Sequence, residues 1–404
     1  MASTITEFDH LKIPLETILE TTNNFDDKNV IGEGGFGKVY KGELWRSWRY
    51  EKISARRLDR KHGQGDVEFW TEISALSVLD YYCIVEMIGF CDENDEKIII
   101  TGYHYIKGSL SMYLGDPTTF SWQGRLWACE TIVKAISHIH GESRRAFSFI
   151  HRNINSSTIL LDKNWKAKLS GFEFSIKHSL DRKNLGIHSE VIGTQGYIDP
   201  TYLMTGSVTH KSDVYSLGVV LFEILCGRLA YNPNEQDDKK FLAPLAKYHY
   251  EKGTLHDIIH PEIWNQVARD SKKKMRFEKI SKIAYSCLNK EREQRPDMDQ
   301  VVHELEDIVN ALSSDYEGDG TDSLDASDIV SVEESKSVVE STMSNSEKAL
   351  SSDYEADGTD SQDALDIVSV EESKSVVEST MSNSEKMCQI KRVTLSDVNG
   401  KFLM

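Results

Sequence analysis

The stretch Ile31-Gly32-Glu33-Gly34-Gly35-Phe36-Gly37-Lys38-Val39 narrows the choice of fold more than any other run in the chain. Glycines at 32, 34 and 37 let a backbone pass closely over phosphate groups without side-chain obstruction. A Gly-x-Gly-x-x-Gly run also occurs at dinucleotide-binding turns, but there it opens a helix. Here it lies between two β-like stretches, and a strand pattern follows Gly37, which disfavours the dinucleotide fold.

From Val30 to about residue 100, short β-branched runs are broken by one helical stretch at 67–79, and from about residue 109 helical periodicity dominates. The segment from Pro14 to Phe25 has apolar residues at 15, 18, 19 and 25 behind a helix-compatible proline, and predicts a short leading helix. The expectation is an α+β chain with a small β-rich lobe before a larger α-helical one.

Further motifs follow in order. Ile53-Ser54-Ala55-Arg56 stands where a Val-Ala-Ile-Lys strand would be, with Glu72 in the helical stretch after it. Then come His151-Arg152-Asn153, Gly171-Phe172-Glu173, Asp199-Pro200-Thr201, Ser212-Asp213-Val214-Tyr215-Ser216-Leu217-Gly218 and Arg295-Pro296. In this order they resemble the protein kinases over about residues 24–311, which implies the bilobal kinase fold. Asn24-Phe25, Ile88-Gly89-Phe90-Cys91, Gly108-Ser109-Leu110 and Gly193-Thr194-Gln195-Gly196-Tyr197 look like the plant receptor-like and Pelle-type group. With no apolar run long enough to span a bilayer, the chain is similar to that group's cytoplasmic members. The implied organisation is an extension at 1–23, an N-lobe at 24–106, a C-lobe at 107–311, an acidic tail at 312–387 and a terminal segment at 388–404.

The resemblance separates positions that hold the fold from those that do the chemistry. It assigns a stacked spine to His151, Phe172 and Leu76, anchored by Asp213, and all four are present. It assigns a metal-binding carboxylate to position 171 and a metal-binding carboxamide to position 158, which are Gly171 and Thr158. Mg²⁺ is normally held through carboxylates and phosphates, so no Mg²⁺ site is expected. Asn153 replaces the aspartate that accepts the substrate's proton and can orient a group without taking its proton; loss of a general base costs roughly 10² to 10⁴ in rate. Asn155 replaces the loop lysine, and Arg56 the strand lysine, whose compact point charge a planar guanidinium does not reproduce. The displaced charges Glu173 and Lys52 are expected to be solvated surface groups.

The nucleotide-facing positions that the resemblance implies are Ile31, Gly32, Gly34, Gly37, Val39, an Arg56–Glu72 pair, and the hinge from Tyr103 to Tyr105 behind Gly102. Two readings stay open: ATP bound without metal, or a glycine loop that merely closes the sheet. Thr201 stands where an acid should meet Arg295, so a less rigid activation segment is expected. That segment carries Ser175, Ser179, Ser189, Thr194 and Tyr197, either ordinary loop hydroxyls or sites that, once phosphorylated, meet Arg152.

After residue 312 the composition shifts to Ser, Asp, Glu, Gly and Thr, and residues 312–348 recur almost unchanged at 350–386. Residues 312–404 hold 21 acids and 7 bases of a chain whose net charge is -18. Each repeat has too few large apolar residues to offset its ordering entropy, so a disordered tail is expected. Asp315 to Gly320 and its copy begin like a calcium-binding loop, but Ala326 and Ala364 occupy the position that needs a bidentate glutamate. The apolar-acidic run from Asp328, shown twice, is either a bivalent docking element or a duplicated spacer. The acidic balance disfavours nucleic acid and anionic membranes. The six cysteines lack zinc spacing and read as reduced thiols, and the expected compartment is the cytosol, with a partner able to recruit the chain to the plasma membrane. The expected function is that of a signalling pseudokinase, a scaffold or allosteric partner for active kinases or their substrates. Its rivals are a weak ATP-dependent serine/threonine kinase and a nucleotide-sensing switch without catalysis.

Overall fold

The computed structural model describes residues 6–34, 36–59, 65–103, 106–142, 145–182 and 185–316. Gly35 of the glycine run, Tyr105 of the hinge, Cys388 and the repeats beyond Tyr316 fall outside the described residues, as does the expectation of a disordered tail.

A 3-10 segment, Thr6–Leu11, and helix α1 (Leu15–Thr22) precede strands β1 (Val30–Gly34), β2 (Gly37–Arg46) and β3 (Arg49–Arg57). Helix α2 (Asp66–Leu76) and strands β4 (Met87–Glu93) and β5 (Glu96–Gly102) complete the N-lobe. The five strands form an antiparallel sheet in the order β1-β2-β3-β5-β4.

Alternation along the strands divides the lobe into two cores, because successive side chains point to opposite faces. Ile53, Ala55, Ile98 and Ile100 pack with Ile18 of α1 and Leu44. Ile99, one residue out of phase, joins Phe69 and Ile73 of α2, with Phe90 and with Phe8 from the 3-10 segment. Full burial of each large aliphatic is worth about 1.5–3 kcal/mol, so residues 6–22, read as an extension, supply part of the core. The same alternation turns Arg56, next to Ala55, toward the α2 face.

The C-lobe begins with strand β6 (Ile106–Ser109) and helix α3 (Trp122–Ser137). Short strands follow: β7 (Phe147–Ile150), β8 (Ile159–Asp162), β9 (Ala167–Leu169), β10 (Ile176–Ser179) and β11 (Ile187–His188). Then come α4 (Pro200–Thr205), β12 (Ser207–Val208), α5 (His210–Cys226), α6 (Leu242–Lys252), α7 (Pro261–Ala268), α8 (Ser271–Cys287) and α9 (Met298–Tyr316). Helix α9 runs past the composition change at Leu312, where the sequence reading ended the folded part. Helix α5 is buried on nearly every side, as a central helix must be. It stops at Gly227, whose φ of 73° is the left-handed C-terminal conformation that glycine adopts without strain. Cys83, Cys91, Cys129, Cys226 and Cys287 are buried free thiols. Among the described residues no helix is long and apolar enough to cross a membrane.

Candidate active site

Asp213, near the start of α5, organises the floor of the cleft. Its carboxylate accepts from the backbone N–H groups of His151 at 2.8 Å and Arg152 at 2.9 Å, and lies 2.9 Å from His140 Nε2. Asp213 is 1% exposed. Burial alone would disfavour its charge, but these partners hold its carboxyl below the usual range. His151 is buried, which lowers its pKa and keeps it neutral. Its Nδ1 receives the Asn153 N–H at 3.3 Å, which leaves Nε2 to donate to Ser170 O at 3.1 Å. The His151 ring meets Phe172 edge-on at 4.8 Å, and Leu76 is buried on the α2 side.

The loop from Asn153 to Thr158 is closed on itself. Asn153 Oδ1 accepts from Thr194 Oγ1 at 2.8 Å and from Asn155 Nδ2 at 3.1 Å. Asn155 Nδ2 also reaches Asn153 O and Thr194 Oγ1, and Asn155 Oδ1 receives the N–H groups of Ser157 and Thr158. The Thr158 hydroxyl accepts from Asn155 N–H and shares its proton between the carbonyls of Asn153 and Asn155. Its methyl is thereby turned toward Gly171. A Cβ at Gly171 would stand 2.8 Å from Thr158 Cγ2, closer than side chains tolerate, and Gly171 has a left-handed φ of 84°. Of the two positions that the resemblance gives to metal ligands, the Thr158 methyl thus occupies the space that a side chain at position 171 would need. The residues present do not fit Mg²⁺: Gly171 offers no donor, and the Thr158 oxygen is committed to the loop. Among the described residues no group of three or more His, Cys, Asp or Glu side chains could hold a metal ion.

Above the loop, Arg56 forms an ion pair with Glu72 of α2 through Nη2. Its Nη1 lies 3.6 Å from Oε2 of Glu173. This corrects the expectation that Glu173 is a solvated surface charge: the turn at Phe172–Phe174 folds it inward, and it is 3% exposed. Burial, with repulsion from Glu72, pushes its pKa up to about 7 against the pull of Arg56. Burial also opposes the Arg56 charge, yet the two carboxylates hold its pKa above the ordinary value. Lys52 is exposed, as expected of a solvated lysine.

In the glycine run, Gly32 pairs with Val39, and Gly34 with Gly37, across the β1–β2 hairpin. Gly37 has a φ of 101°, and a Cβ there would meet the Arg57 carbonyl oxygen at 2.1 Å, so the close strand approach requires glycine. A Cβ at Gly34 would meet nothing within 4 Å. Ile31 is exposed, and Tyr103 is half-buried with its N–H on the Lys52 carbonyl at 3.0 Å. Phe36 meets Phe174 edge-on at 5.4 Å, with the Arg56 guanidinium 5.8 Å from its ring centre.

The activation segment corrects one further expectation. Arg295 has not lost its acid: Asp199, two residues before Thr201, accepts from Arg295 Nη2 at 2.9 Å and from Arg292 Nε at 2.8 Å. Asp199 also caps α4 through the Thr201 N–H. Tyr197 donates to Glu223 at 2.6 Å, and burial raises the Glu223 carboxyl to about 8. Arg152 is held by the activation segment and by Tyr202 of α4. Its guanidinium donates to the carbonyls of Phe174 and Glu190 and to the hydroxyl of Tyr202, at 2.8 Å in the last case. The Tyr202 hydroxyl in turn donates to Glu190 O and contacts Ser189 Oγ at 3.1 Å. Of the five segment hydroxyls, Ser175, Thr194 and Tyr197 are hydrogen-bonded inside the lobe, Ser189 is half-buried on Tyr202, and Ser179 is exposed.

Sequence reasoning missed the inward Glu173, the relocated acid at Asp199 and the Tyr202 link. The Asp-Pro-Thr spelling of the third motif carried a usable signal for Asp199, whereas nothing local marked the other two.

The protein kinase domain model matches residues 25–305. The receptor-like protein kinase FERONIA of Arabidopsis thaliana is 36% identical over 291 residues, 72% of this chain and 31% of that protein. HERK 1, a receptor-like protein kinase of the same plant, is 36% identical over 325 residues, 79% of this chain and 37% of that protein. The chain thus spans about a third of the length of these relatives. Kinase domains of this family bind ATP. With the β-sheet N-lobe, the helical C-lobe and the family's motifs in their places, the chain belongs to the protein kinase domain family, in its plant receptor-like group.

Proposed function

We propose that this chain is a pseudokinase, a kinase-shaped binding module that engages protein partners without transferring phosphate. The observation that carries this reading is the Thr158 methyl standing in the space that a side chain at Gly171 would need, so that neither position offers a metal ligand. Phosphoryl transfer depends almost entirely on positioning and electrostatic stabilisation, and a site without a metal carboxylate or a proton acceptor at Asn153 lacks both. The bonds made by Asn153 support the same reading, since its side-chain oxygen is already shared between Thr194 and Asn155.

The rest of the domain is built to hold one shape. The Arg56–Glu72 pair fixes α2, Asp213 fixes the catalytic loop, and Asp199 and Glu223 fix the activation segment. A rigid surface of this kind suits an allosteric or scaffolding role toward an active receptor-like kinase or its substrates, at the cytoplasmic face of the plasma membrane when such a partner recruits it. Any ATP bound here is held without metal. The test is incorporation of labelled phosphate from ATP into the chain and a generic acceptor protein, in Mg²⁺ and in Mn²⁺. No incorporation above a heat-denatured control is expected, and metal-dependent transfer would overturn the reading.

A further inference from the structure

The end of Arg56 that does not meet Glu72 is not open to the cleft. Glu173, carried by the C-lobe, places Oε2 at 3.6 Å from Nη1, beyond hydrogen-bonding range but within strong ionic attraction. That oxygen is buried and has no hydrogen-bond partner. A buried carboxylate oxygen without a hydrogen bond is costly, and the charged groups that face it are Glu72 from α2 and Arg56 from β3. The Glu173 side chain is thus held in place by the guanidinium. Phe36 closes the assembly from the glycine loop, resting against Phe174 and near the guanidinium.

In a kinase site the strand cation meets the helix glutamate on one side and nucleotide phosphates on the other. A guanidinium suits such double duty, because its planar fork presents separate N–H edges to two anions. We propose that Glu173 is a built-in phosphate surrogate: its carboxylate takes the second anion seat at Arg56 and so sets the site against the phosphate part of a nucleotide. With both glutamates ionised the cluster carries a net negative charge, which repels an incoming triphosphate at short range. Without the Glu173 charge, the cluster is neutral and one edge of Arg56 is free for an anion. This proposal rests on the pseudokinase reading, but it concerns binding rather than transfer.

The experiment measures ATP and adenosine binding to the full chain in EDTA, where phosphate transfer does not run, at about pH 8.5, where the wild-type Glu173 carboxylate is ionised. It compares the wild type, Glu173→Gln and the double variant Arg56→Met/Glu173→Gln. Glu173→Gln keeps the shape and removes the charge. It is expected to bind ATP about tenfold or more tightly than the wild type, the size of one charge-assisted contact, with adenosine binding unchanged. The double variant is expected to lose that gain. A folded Glu173→Gln chain with no gain in ATP affinity overturns the proposal. So does a gain that survives Arg56→Met, or a wild type that binds ATP at least about tenfold more tightly than adenosine. Should Glu173→Gln fail to fold, Glu173→Asp withdraws the carboxylate by one methylene, and a smaller gain is expected on the same criteria. Failure of the pseudokinase reading would appear separately, as metal-dependent phosphate transfer by the wild type.

Discussion

The floor of the cleft and its phosphate end treat charge in opposite ways. At the floor, each carboxylate meets protein partners: Asp213 holds two backbone N–H groups and His140, and Asp199 holds two arginines. At the phosphate end, a metal carboxylate is replaced by Gly171, a proton acceptor by Asn153, and the strand cation is shared between two glutamates. On the proposed reading, charges that hold the fold are kept or relocated, while charges that would act on a ligand are removed or engaged by the protein. On that reading, a domain keeps the packing of a catalyst while the groups that act on substrate are rewritten.

This contrast breaks if the floor can lose charge cheaply. Asp213→Asn removes the anion that two backbone N–H groups and His140 face, and should cost about 3–5 kcal/mol of stability by urea denaturation of the full chain. A loss under about 1 kcal/mol would mean that the floor is no more demanding than an exposed ion pair.

A pH series separates the floor's one titrating acid from the rest. Glu223 has a folded pKa near 8, above its unfolded value near 4.5, so its contribution is fully present below pH 4.5 and is lost as pH rises toward 8. One such group changes stability by up to about 1.4 kcal/mol per pH unit, so a fall of about 2–3 kcal/mol is expected between pH 5.5 and 7.5. Glu173, raised to about 7, adds to the same fall. Glu223→Gln, which keeps an acceptor for Tyr197, should flatten the slope; a slope identical to that of the wild type would contradict the raised value.

At the phosphate end, returning the missing acid should do harm. Gly171→Asp forces a Cβ into the Thr158 methyl in a left-handed backbone, and is expected to cost about 2 kcal/mol in melting or urea experiments. It should restore no phosphate transfer. The smallest effect sharpens the point: Thr158→Ser removes that methyl, so the double variant should be about 1 kcal/mol more stable than the sum of the single changes predicts. Additive behaviour would show that the two positions do not share space.

The bilobal architecture was legible because it rests on periodicity and motif order. Ile98 to Ile100 alternate between two cores, and the glycine run is followed by a strand. The family was legible for the same reason, since the order of the motifs sets it. What the sequence hid were side-chain directions set by tertiary packing. Glu173 reads as a surface charge until the turn after Gly171 swings it beneath α2. Arg295 seemed bereft because its partner was sought at Thr201, whereas the guanidinium reaches Asp199 two residues earlier.

The contact between Arg152 and Tyr202 has a consequence in time rather than in space. A phosphate on an activation segment is written by one enzyme and erased by another, so the shape it holds lasts only as long as the balance between them. A phenol belongs to the polypeptide from synthesis to degradation. Phosphatase treatment should therefore leave the proteolytic protection of a segment tethered this way unchanged.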